Sequence, residues 1–525
     1  MSAVQTLIPV HEVVVRNPAT QQPIGSVPAC AAPEISAAVR RARSAQMRWS
    51  ATPLRERLKV IQRFQHLLGE QKDAVAEVIT REAGKPKGEA LATEVLVVLD
   101  ATQFLLNTAP AVLRPERVPH ASLAMKLKSG LLLREPWGVI GIISPWNYPF
   151  SIPSVETLGA LVAGNGVVLK PSEFTPFSSL ELHRLLREAG LDPDLLHIVT
   201  GEGATGAALL QADINKLIFT GSVATGKQVA QAAAARLLPV VLELGGKDPM
   251  IVLEDADVEV ASSAAIWGAF MNAGQTCLSV ERCYVQEAIY GKFLDSCVAK
   301  TARLRLGNGS DPATDVGPLI HDRQLSIVRD QVDDAVARGA RVLAGGKSMP
   351  QLGPNFFAPT ILADVNNSMR VMQEETFGPV LPVSTFKTED QAVAVANDSQ
   401  FGLAASVWTS DRDRGERLAR RIDAGTVMVN DVISCFGISE APHGGVKASG
   451  IGRTHGKFGL EEMVWPKYVD SDRMPGMKKL WWYGYGPVFA GQMEGFVELL
   501  FAKKLMNRLK GGLKSAQSYL RRKPL

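Results

Sequence analysis

The sequence contains, at residues 240–249, the stretch VVLELGGKDP, an apolar run of β-favouring residues that ends in a Gly-Gly turn. Such a run is typical of a buried strand, which we place at 239–244. Four earlier segments of the same kind are predicted as strands at 138–144, 166–170, 197–200 and 216–219. Helical patterns fall between them, near 152–163, 177–189, 203–211 and 225–235. This alternation predicts βαβ units around a buried parallel sheet, which binds nucleotides at the carboxyl ends of its strands.

The same alternation continues on the carboxyl side of the stretch. Helical patterns at 257–273 and 288–303, with strand patterns near 249–253, 281–286 and 404–408, predict a second α/β domain. Upstream we expect a hairpin over 13–28, helices at 34–49, 54–82 and 91–106, and β structure over 123–135. A chain of 525 residues is long enough for two or more domains. The predicted fold class is therefore α/β with two domains.

Glu243 interrupts the apolar strand with a carboxylate. Burial disfavours the charged form, so we expect the pKa of Glu243 to rise unless the group is paired. A carboxyl group with a raised pKa is suited to act as a general base near neutral pH. The alternative from this segment alone is a glutamate at the end of a strand that faces solvent.

A second stretch, MNAGQTCLS at residues 271–279, places Cys277 among glycine and small polar residues. A backbone-permissive turn of this kind lets a substrate approach a thiol closely, which favours a nucleophile. The alternative is a buried cysteine that acts as a small hydrophobe, the commoner role of a lone cysteine.

The composition excludes several classes of protein. With 46% hydrophobic and 21% charged residues, the chain is typical of a globular protein. Five cysteines without a CxxC pair argue against a disulfide framework and favour a reducing compartment. The histidines show no metal-ligand spacing, so we expect no metal. We also expect no secretory signal in residues 1–5, no membrane span and no nucleic-acid partner.

Five more motifs accompany these two stretches in the same chain. They are PWNYP at 145–149, KPSE at 170–173, FTGS at 219–222, EETFGP at 374–379 and GGVKASG at 444–450. Together with ELGGK and GQTC, and in this order, they resemble the aldehyde dehydrogenase superfamily over about residues 16–470. Each motif alone is weak, but seven in order are very rarely matched by chance.

The resemblance implies a division of the chain into domains. A Rossmann-like domain for the cofactor is expected over 1–113 and 136–243, and a catalytic α/β domain over 244–440. Residues 114–135 and 441–470 are expected to form a β arm through which subunits of the family associate, as a homodimer or a homotetramer. Residues 471–525 extend beyond the common pattern of the family.

The resemblance also implies the roles of three residues in aldehyde oxidation. Cys277 is expected to attack the aldehyde, and the side chain of Asn147 with the backbone N–H of Cys277 to hold the resulting oxyanion. Glu243 is expected to activate water that releases the acid from a thioester. Relatives that pass the acyl group to coenzyme A generally lack this carboxylate, so a hydrolytic enzyme is favoured. From the residues alone, Asn147 is equally well explained as a turn residue.

NAD is the cofactor that the resemblance implies, with NADP as the alternative. In the family, a glutamate at the position of Glu173 accepts hydrogen bonds from the adenosine ribose, and its charge would repel a 2′-phosphate. Without the family, Glu375 would be interpreted as a solvated charge. The cofactor-binding positions implied are Ser144, Trp146, Lys170, Ser172, Glu173, Gly221, Ser222, Gly245, Glu375 and Phe377.

Two glycine-rich segments compete for the pyrophosphate. Residues 201–206 match GxGxxG, but no acidic residue ends a second strand about 20 residues later, so we interpret this match as chance. The resemblance places the pyrophosphate at residues 221–226, where Ser222 is positioned to cap the following helix. From the sequence alone, an ordinary strand-loop-helix connection explains this segment equally well.

The aldehyde itself is less closely defined. The loop at 430–442 borders the aldehyde entrance in the family, and here it contains Val, Ile and Phe but no Arg or Lys. This composition favours an apolar aldehyde, with a medium- or long-chain aliphatic aldehyde as one candidate. The alternatives are a semialdehyde dehydrogenase whose carboxylate-binding residue lies outside this loop, and a non-catalytic scaffold that keeps the fold. His443 stands where relatives usually carry phenylalanine, which affects the expected packing of the loop.

Residues 471–525 contain eleven Lys and Arg against three Asp and Glu, a balance of +8. The whole chain has a net charge of +4, so the remainder carries −4. A helix is predicted over 493–509, with apolar residues at i+3 and i+4 spacing. Three interpretations stay open: this face docks on the enzyme or a neighbouring subunit, it lies on an anionic membrane surface, or it gates the substrate entrance. The expected location is the cytoplasm, and the alternative is peripheral association with a membrane surface.

Overall fold

The structure is a computed structural model that describes residues 11–122, 125–479 and 481–521. The chain divides into two compact units. The first consists of residues up to Arg114 together with Arg134–Pro466, and the second of Pro115–Leu133 with Lys467–Leu525. The predictions for residues 1–5, and those parts of the predicted arm and extension at 123–124, 480 and 522–525, lie outside the described residues.

The strands are β1 (Glu12–Arg16), β2 (Pro23–Pro28), β3 (Glu116–Val118), β4 (Lys128–Pro136), β5 (Val139–Ile143), β6 (Gly166–Lys170), β7 (Leu196–Ile198), β8 (Lys216–Thr220), β9 (Val240–Glu243), β10 (Asp248–Val252), β11 (Val280–Gln286), β12 (Arg341–Ala344), β13 (Thr360–Ala363), β14 (Val380–Phe386), β15 (Ala404–Trp408), β16 (Thr426–Val429), β17 (Gly450–Ile451) and β18 (Val464–Asp472). The α-helices are α1 (Ala32–Ala51), α2 (Leu54–Glu70), α3 (Lys72–Ala83), α4 (Lys87–Ala90), α5 (Leu96–Val112), α6 (Ser151–Ala163), α7 (Pro176–Glu188), α8 (Gly203–Gln211), α9 (Val223–Ala234), α10 (Val258–Phe270), α11 (Tyr290–Thr301), α12 (Asp322–Ala337), α13 (Arg370–Gln373), α14 (Glu389–Asn397), α15 (Arg412–Ala419), α16 (Gly456–Glu462), α17 (Pro487–Phe501) and α18 (Leu505–Arg521).

The predicted parallel sheet is present in the first unit. Its strand order is β17-β9-β8-β5-β6-β7, in which the five longer strands run parallel and the short β17 is antiparallel to β9. Side chains alternate between its two faces, so that Ile140 and Ile142 belong to one apolar core while Leu217 and Phe219 belong to another. This alternation explains why the strands are apolar throughout, because helices cover both faces. The five predicted strands and the helices between them are confirmed, with shifts of at most two residues at their ends.

A second sheet follows directly in the chain. Its strand order is β12-β13-β14-β11-β10-β15-β16, parallel except for β12. Only Leu244–Lys247 connects β9 of the first sheet to β10 of the second. The predicted boundary between residues 243 and 244 falls at this connection, and the domain ranges as a whole stay a prediction.

Two of the predicted helices differ from the structure. The segment 54–82 forms two helices, α2 and α3, because the chain bends at Gln71. The helix predicted at 91–106 is longer: α4 and α5 continue into each other through a π-helical turn at Leu91–Val95. The combined helix Lys87–Val112 is long and apolar enough to span a membrane, but half of that segment is buried in the protein. It is therefore best explained as a core helix.

The π-helical turn carries Glu94, which is buried. Glu94 Oε1 lies 2.7 Å from Nζ of Lys85, and its Oε2 accepts hydrogen bonds from the backbone N–H groups of Phe150 and Ser151. These two N–H groups stand at the start of α6, where a helix has unpaired donors. The carboxylate thus anchors the start of α6, directly after the PWNYP motif.

The second unit contains a three-stranded sheet in the order β18-β4-β3 and the pair of helices α17 and α18. The single helix predicted over 493–509 is wrong. Two helices are present instead, separated at Ala502–Lys504, and the first begins at Pro487, where proline suits the first turn. A regular apolar pattern that runs across both helices does not reveal the break between them.

Candidate active site

The loop that carries Cys277 has an unusual backbone. After α10, residues Asn272 and Ala273 have left-handed φ values of 51° and 53°, and Gly274 follows with 72°. A methyl group on Gly274 would overlap the carbonyl oxygen of Gly378, so only glycine fits there. Three left-handed residues in succession turn the chain sharply at the end of α10. This turn places Cys277, which is half-buried, at the wall of a cavity.

Side-chain amides fix this loop against the PWNYP segment. Nδ2 of Asn272 donates to the carbonyl oxygens of Asn147 (3.0 Å) and Gln275 (3.1 Å). Nδ2 of Asn147 donates to the same Gln275 carbonyl at 3.1 Å. Oε1 of Gln275 accepts from the N–H of Ile320 at 2.8 Å. The predicted oxyanion donor is therefore hydrogen-bonded to the loop that carries the predicted nucleophile.

The cavity has a volume of about 460 Å³ and lies in the first unit. Its wall brings together the three predicted catalytic residues, Cys277, Glu243 and Asn147. Six of the predicted cofactor positions also line it, namely Trp146, Gly221, Ser222, Gly245, Glu375 and Phe377. The remaining four, Ser144, Lys170, Ser172 and Glu173, lie outside this lining.

Glu243 ends β9 and is buried. Within the described part of the chain, neither of its carboxylate oxygens has a hydrogen-bond partner. Burial raises the pKa of Glu243 well above its usual range, and the nearby carboxylate of Glu156 raises it further. The carboxyl group is thus a strong base once it loses its proton, as the sequence predicted from its apolar neighbours.

Glu156 is a site residue that the sequence analysis missed. It is buried in α6, lines the cavity, and accepts a hydrogen bond from the Thr220 hydroxyl at 3.1 Å. Burial raises its pKa to about 8. The available signal was the position of a lone carboxylate in an otherwise apolar helix, since buried charges are rare unless they have a role.

The thiol of Cys277 holds its proton in the resting site. Burial raises the pKa of Cys277 well above its usual value, and the negative charges of Asp248, Glu375 and Glu243 raise it further. A thiol in such surroundings must lose its proton to a base before it attacks.

Helix α9 presents its amino terminus to the cavity. The hydroxyl of Ser222 caps this helix by accepting from the N–H of Thr225 at 3.2 Å, and Gly221, Ser222 and Thr225 all line the cavity. A helix amino terminus attracts an anion such as a pyrophosphate. The competing segment 201–206 contributes no residue to the described lining of the cavity.

The four positions outside the lining lie close together at the carboxyl ends of β5 and β6. The N–H of Ser144 donates to the carbonyl oxygen of Lys170 at 3.1 Å. Nζ of Lys170 lies 3.3 Å from Oε2 of Glu173, to which the Ser172 hydroxyl also donates, at 3.5 Å. Glu173 is thus held by a cation and a hydroxyl at the edge of the sheet where such folds bind nucleotides.

Glu375 packs against the Gly-Gly turn of the opening stretch. Its Oε1 accepts from the N–H of Gly246 at 3.1 Å, and a methyl group on Gly245 would overlap its carboxylate. Burial raises the pKa of Glu375 to about 8. The glycine at 245 is therefore required by the close approach of this side chain.

Phe377 has a left-handed φ of 51°, and its ring meets that of Trp146 edge to face at 5.4 Å. The backbone N–H groups of Thr376 and Phe377 both donate to Glu281 at 2.8 Å, and Glu281 is paired with the buried Lys247 at 2.5 Å. The buried ion pair fixes the loop that presents Phe377 to the cavity. An aromatic wall, a helix amino terminus and a held carboxylate at Glu173 together fit a dinucleotide such as NAD.

In another part of the cavity wall, the ring of Phe436 packs against two histidines, whose ring centroids lie 5.6 Å apart. His443 lies 5.2 Å from it and His455 4.6 Å, both edge to face. Burial lowers the pKa of His443 to about 4 and that of His455 to about 3, so both are neutral at pH 7. Nε2 of His443 lies 3.8 Å from Oε2 of Glu243. The histidine at 443 therefore keeps the aromatic packing of the entrance loop and adds a polar neighbour to the base.

Sequence comparison places these features in a family. The model of the aldehyde dehydrogenase family matches residues 9–469. The chain is 40% identical over 468 residues to 4,4'-diapolycopene aldehyde oxidase of Methylomonas sp, which covers 89% of this chain and 87% of that protein. It is 38% identical over 467 residues to a Mycolicibacterium smegmatis protein named provisionally as an NADP(+) succinate-semialdehyde dehydrogenase, with 89% of each chain covered.

Solved structures agree with this result. An NADP dependent enzyme of E. coli superposes with a TM-score of 0.84 at 36% identity, over 88% of this chain and 95% of that one. The NAD+ complex of an aldehyde dehydrogenase from Bacillus cereus gives a TM-score of 0.84 at 34% identity, over 88% and 93%. The matched region contains both parallel sheets. It also contains the cavity, whose lining residues fall within 145–455 of the sequence. The chain therefore belongs to the aldehyde dehydrogenase family, as an enzyme that oxidises aldehydes with NAD or NADP.

Proposed function

We propose that this enzyme oxidises an apolar aldehyde to its carboxylic acid, by hydrolysis of a thioester formed on Cys277. The observation that carries the proposal is the shared cavity of Cys277, Asn147 and a buried Glu243 that has no hydrogen-bond partner among the described residues. The presence of all three residues in one cavity also argues against a non-catalytic scaffold.

In the proposed first step, Cys277 loses its thiol proton to water, its sulfur bonds to the aldehyde carbon, and the C=O π electrons move to the oxygen, which becomes an oxyanion. The Asn147 amide carries two N–H donors, one of which is held by the Gln275 carbonyl. We propose that the second donates to the oxyanion, since Asn147 and Cys277 line the same cavity. NAD or NADP, when bound, would supply the hydride acceptor that oxidation of the hemithioacetal to a thioester requires.

In the proposed second step, Glu243 accepts a proton from a water molecule, which attacks the thioester and releases the acid. The raised pKa of Glu243 favours this role, because a base must bind the proton that it removes. As the C–S bond breaks, the leaving sulfur takes up a proton, and the restored thiol of Cys277 completes the cycle.

The apolar character of the substrate is supported by apolar side chains in the wall of the cavity that contains Cys277. Ile152, Leu403 and Phe436 line the cavity there, and the histidines that flank Phe436 are neutral. One relative is named for an aldehyde of diapolycopene, which agrees with this interpretation.

A semialdehyde is the second candidate, favoured by the name of another relative. A semialdehyde needs a cation for its carboxylate, and in the described lining of the cavity Arg323 is the residue of this type. Arg323 follows His321, whose ring packs on Phe174 at 4.8 Å, next to Glu173. This neighbourhood places Arg323 nearer the proposed cofactor end than Phe436, which weakens the semialdehyde candidate.

For the cofactor we propose a preference for NAD over NADP. The support is the carboxylate of Glu173, held by Lys170 at the sheet edge, because a second negative charge there disfavours a 2′-phosphate. We further propose a cytoplasmic homodimer or homotetramer that associates through the three-stranded sheet of the second unit.

The test is steady-state turnover with NAD+ on straight-chain aldehydes of two to about sixteen carbons and on succinic semialdehyde. We expect kcat/KM to rise with chain length. Phe436→Ala should lower kcat/KM for the long aldehydes roughly tenfold, since it removes a buried apolar contact, and should spare the shortest ones. Arg323→Ala is the comparison, and it should leave kcat/KM unchanged for all the straight-chain aldehydes. Turnover of the semialdehyde alone, lost in Arg323→Ala, would replace our proposal with the second candidate.

A further inference from the structure

The helices α17 and α18 form an antiparallel hairpin whose backbones lie very close together. Gly495 faces Gly511 and Ser515: a methyl group on Gly495 would lie 2.6 Å from the Gly511 carbonyl oxygen and from the Ser515 nitrogen. Gly495, Gly511 and Ser515 are buried in this contact. The interface is thus made by small side chains and by the backbone itself, as in helix pairs that associate inside lipid.

Because small residues fill the interface, large apolar side chains of the hairpin lie outside it. On α18, Leu505, Leu509 and Leu513 recur every fourth residue and form one exposed face. Phe501, at the end of α17, is 75% exposed, and Leu520 near the end of α18 is 84% exposed. A soluble hairpin normally packs such residues inward, so this arrangement leaves an apolar surface that needs a partner.

The same hairpin is basic. Lys503 and Lys504 occupy the turn between the helices, and Arg508 and Lys510 lie in the first half of α18. Lys514 is paired with Glu494 at 2.5 Å, and Arg508 donates to the carbonyl of Ala502. The surrounding region 471–525 has a balance of +8. Exposed leucine beside lysine and arginine is the pattern of a helix that lies on an anionic lipid surface.

Aromatic residues precede the hairpin. Trp481, Tyr483 and Tyr485 are exposed, and the last two rings pack on each other at 5.4 Å. Tryptophan and tyrosine favour the interface between lipid head groups and acyl chains, because one end of the ring is apolar and the other polar.

We propose that the hairpin Pro487–Arg521 docks this enzyme on an anionic phospholipid surface, with Leu505, Leu509 and Leu513 in the acyl boundary and the lysines at the phosphates. A second copy of the chain is a less suitable partner for this face, because two basic hairpins repel each other. The proposal does not depend on the identity of the aldehyde.

The experiment is flotation of the full-length enzyme with vesicles of pure phosphatidylcholine, and with vesicles containing roughly one third phosphatidylglycerol. We expect binding to the anionic vesicles alone, weakened by salt. Leu505→Ser/Leu509→Ser/Leu513→Ser should lower the bound fraction at least about tenfold. The matched control Leu237→Ser/Val260→Ser removes exposed apolar residues of the first unit and should bind like the wild type.

A variant that changes only surface charge separates loss of vesicle binding from loss of folding. Lys503→Glu/Lys504→Glu alters the turn only, and it should weaken binding roughly tenfold or more while turnover of a short soluble aldehyde stays unchanged. Equal binding by wild type and both hairpin variants would overturn the proposal. A second result would also overturn it: the wild type does not bind vesicles, and sedimentation shows that the leucine variant has dissociated from an oligomer. The partner of this face would then be another copy of the chain.

Discussion

Glu243 faces the cavity without a hydrogen-bond partner among the described residues, and its role is tested by an isosteric change. Glu243→Gln keeps the shape of the side chain but removes the base. We expect hydride transfer to continue and hydrolysis to slow at least about a hundredfold, giving a burst of NADH in rapid mixing. The exposed Glu259→Gln serves as the control and should show wild-type kinetics. A linear time course with wild-type turnover would remove Glu243 from the mechanism.

Glu156 is predicted to set the pH dependence of this base. Its negative charge raises the pKa of Glu243, so Glu156→Gln should lower that pKa. Since hydrolysis requires ionised Glu243, the rising limb of its pH profile should move to lower pH in the variant. Single-turnover hydrolysis measured from pH 5 to pH 10 tests this, with Glu156→Asp as the variant that keeps the charge. A shift to higher pH would contradict the prediction.

At the scale of single residues, the sequence predicts the environment of a side chain where its neighbours in the chain define that environment, while the catalytic roles stay predictions. Glu243 stands within an apolar strand and Cys277 within a glycine turn, so both environments are visible locally. Glu156 escaped notice because its helix alone does not show that the side chain meets Thr220 and the cavity. The contact between His443 and Glu243 joins residues far apart in the chain and has no local signal either.

Among the elements, the start of α6 depends on the carboxylate of Glu94. Glu94→Gln leaves the buried Lys85 without its counter-ion, so we expect unfolding to become easier by about 3 kcal/mol. The exposed pair of Lys59 and Glu56 is the comparison, and Glu56→Gln should leave the free energy of unfolding nearly unchanged, because solvent screens this pair. Denaturant unfolding followed by fluorescence measures the stability of both variants. Equal effects would contradict the prediction that the buried ion pair contributes more to stability than the exposed one.

The two neighbouring glycines of α18 offer a matched test of the hairpin. A methyl group on Gly511 would lie 2.7 Å from the Gly495 carbonyl oxygen, whereas on Gly512 it would lie 3.3 Å from a flexible Leu499 methyl group. Both changes to alanine favour the helix by about 1 kcal/mol, so only the contact differs. Gly511→Ala should speed hydrogen exchange over 487–521 and Gly512→Ala should not. Equal protection in both would contradict the close packing.

Periodicity predicted the strands of the first sheet well because burial on both faces makes them uniformly apolar. It failed at α17 and α18, since the apolar spacing continues across Ala502–Lys504 while the backbone does not. Helix α12 and strands β13, β14 and β16 were not predicted, because their segments are short or rich in charge and lack a clear period.

At the scale of the whole molecule, the cavity is lined by the carboxyl ends of β8 and β9, at Thr220 and Glu243. Loops that precede strands of the second sheet complete the wall with Cys277, Phe377 and Leu403. NAD+ at about 100 times its Kd should therefore stabilise the first unit by about 2.7 kcal/mol, visible as a higher Tm. NADP+ at the same concentration should raise the Tm less.

Cys277→Ala should abolish turnover, while NAD+ should still raise the Tm of the variant. Cys30→Ala is the control, and it should keep both turnover and the NAD+-induced rise in Tm. A nucleophile variant with wild-type turnover would refute the assignment of Cys277.

The connection Leu244–Lys247 lies between the proposed base and the proposed nucleophile, since a methyl group on Gly246 would overlap the carbonyl oxygen of Cys277. It begins at Glu243, passes the two glycines under Glu375, and ends at a lysine buried in an ion pair. These contacts fix the backbone of the connection, so the spacing between β9 and β10 is determined by the number of residues in it and not by side-chain conformations. One inserted residue would displace the chain by up to about 3.5 Å, more than a hydrogen bond tolerates. Insertions that surface loops accept elsewhere would here uncouple the two halves of the reaction.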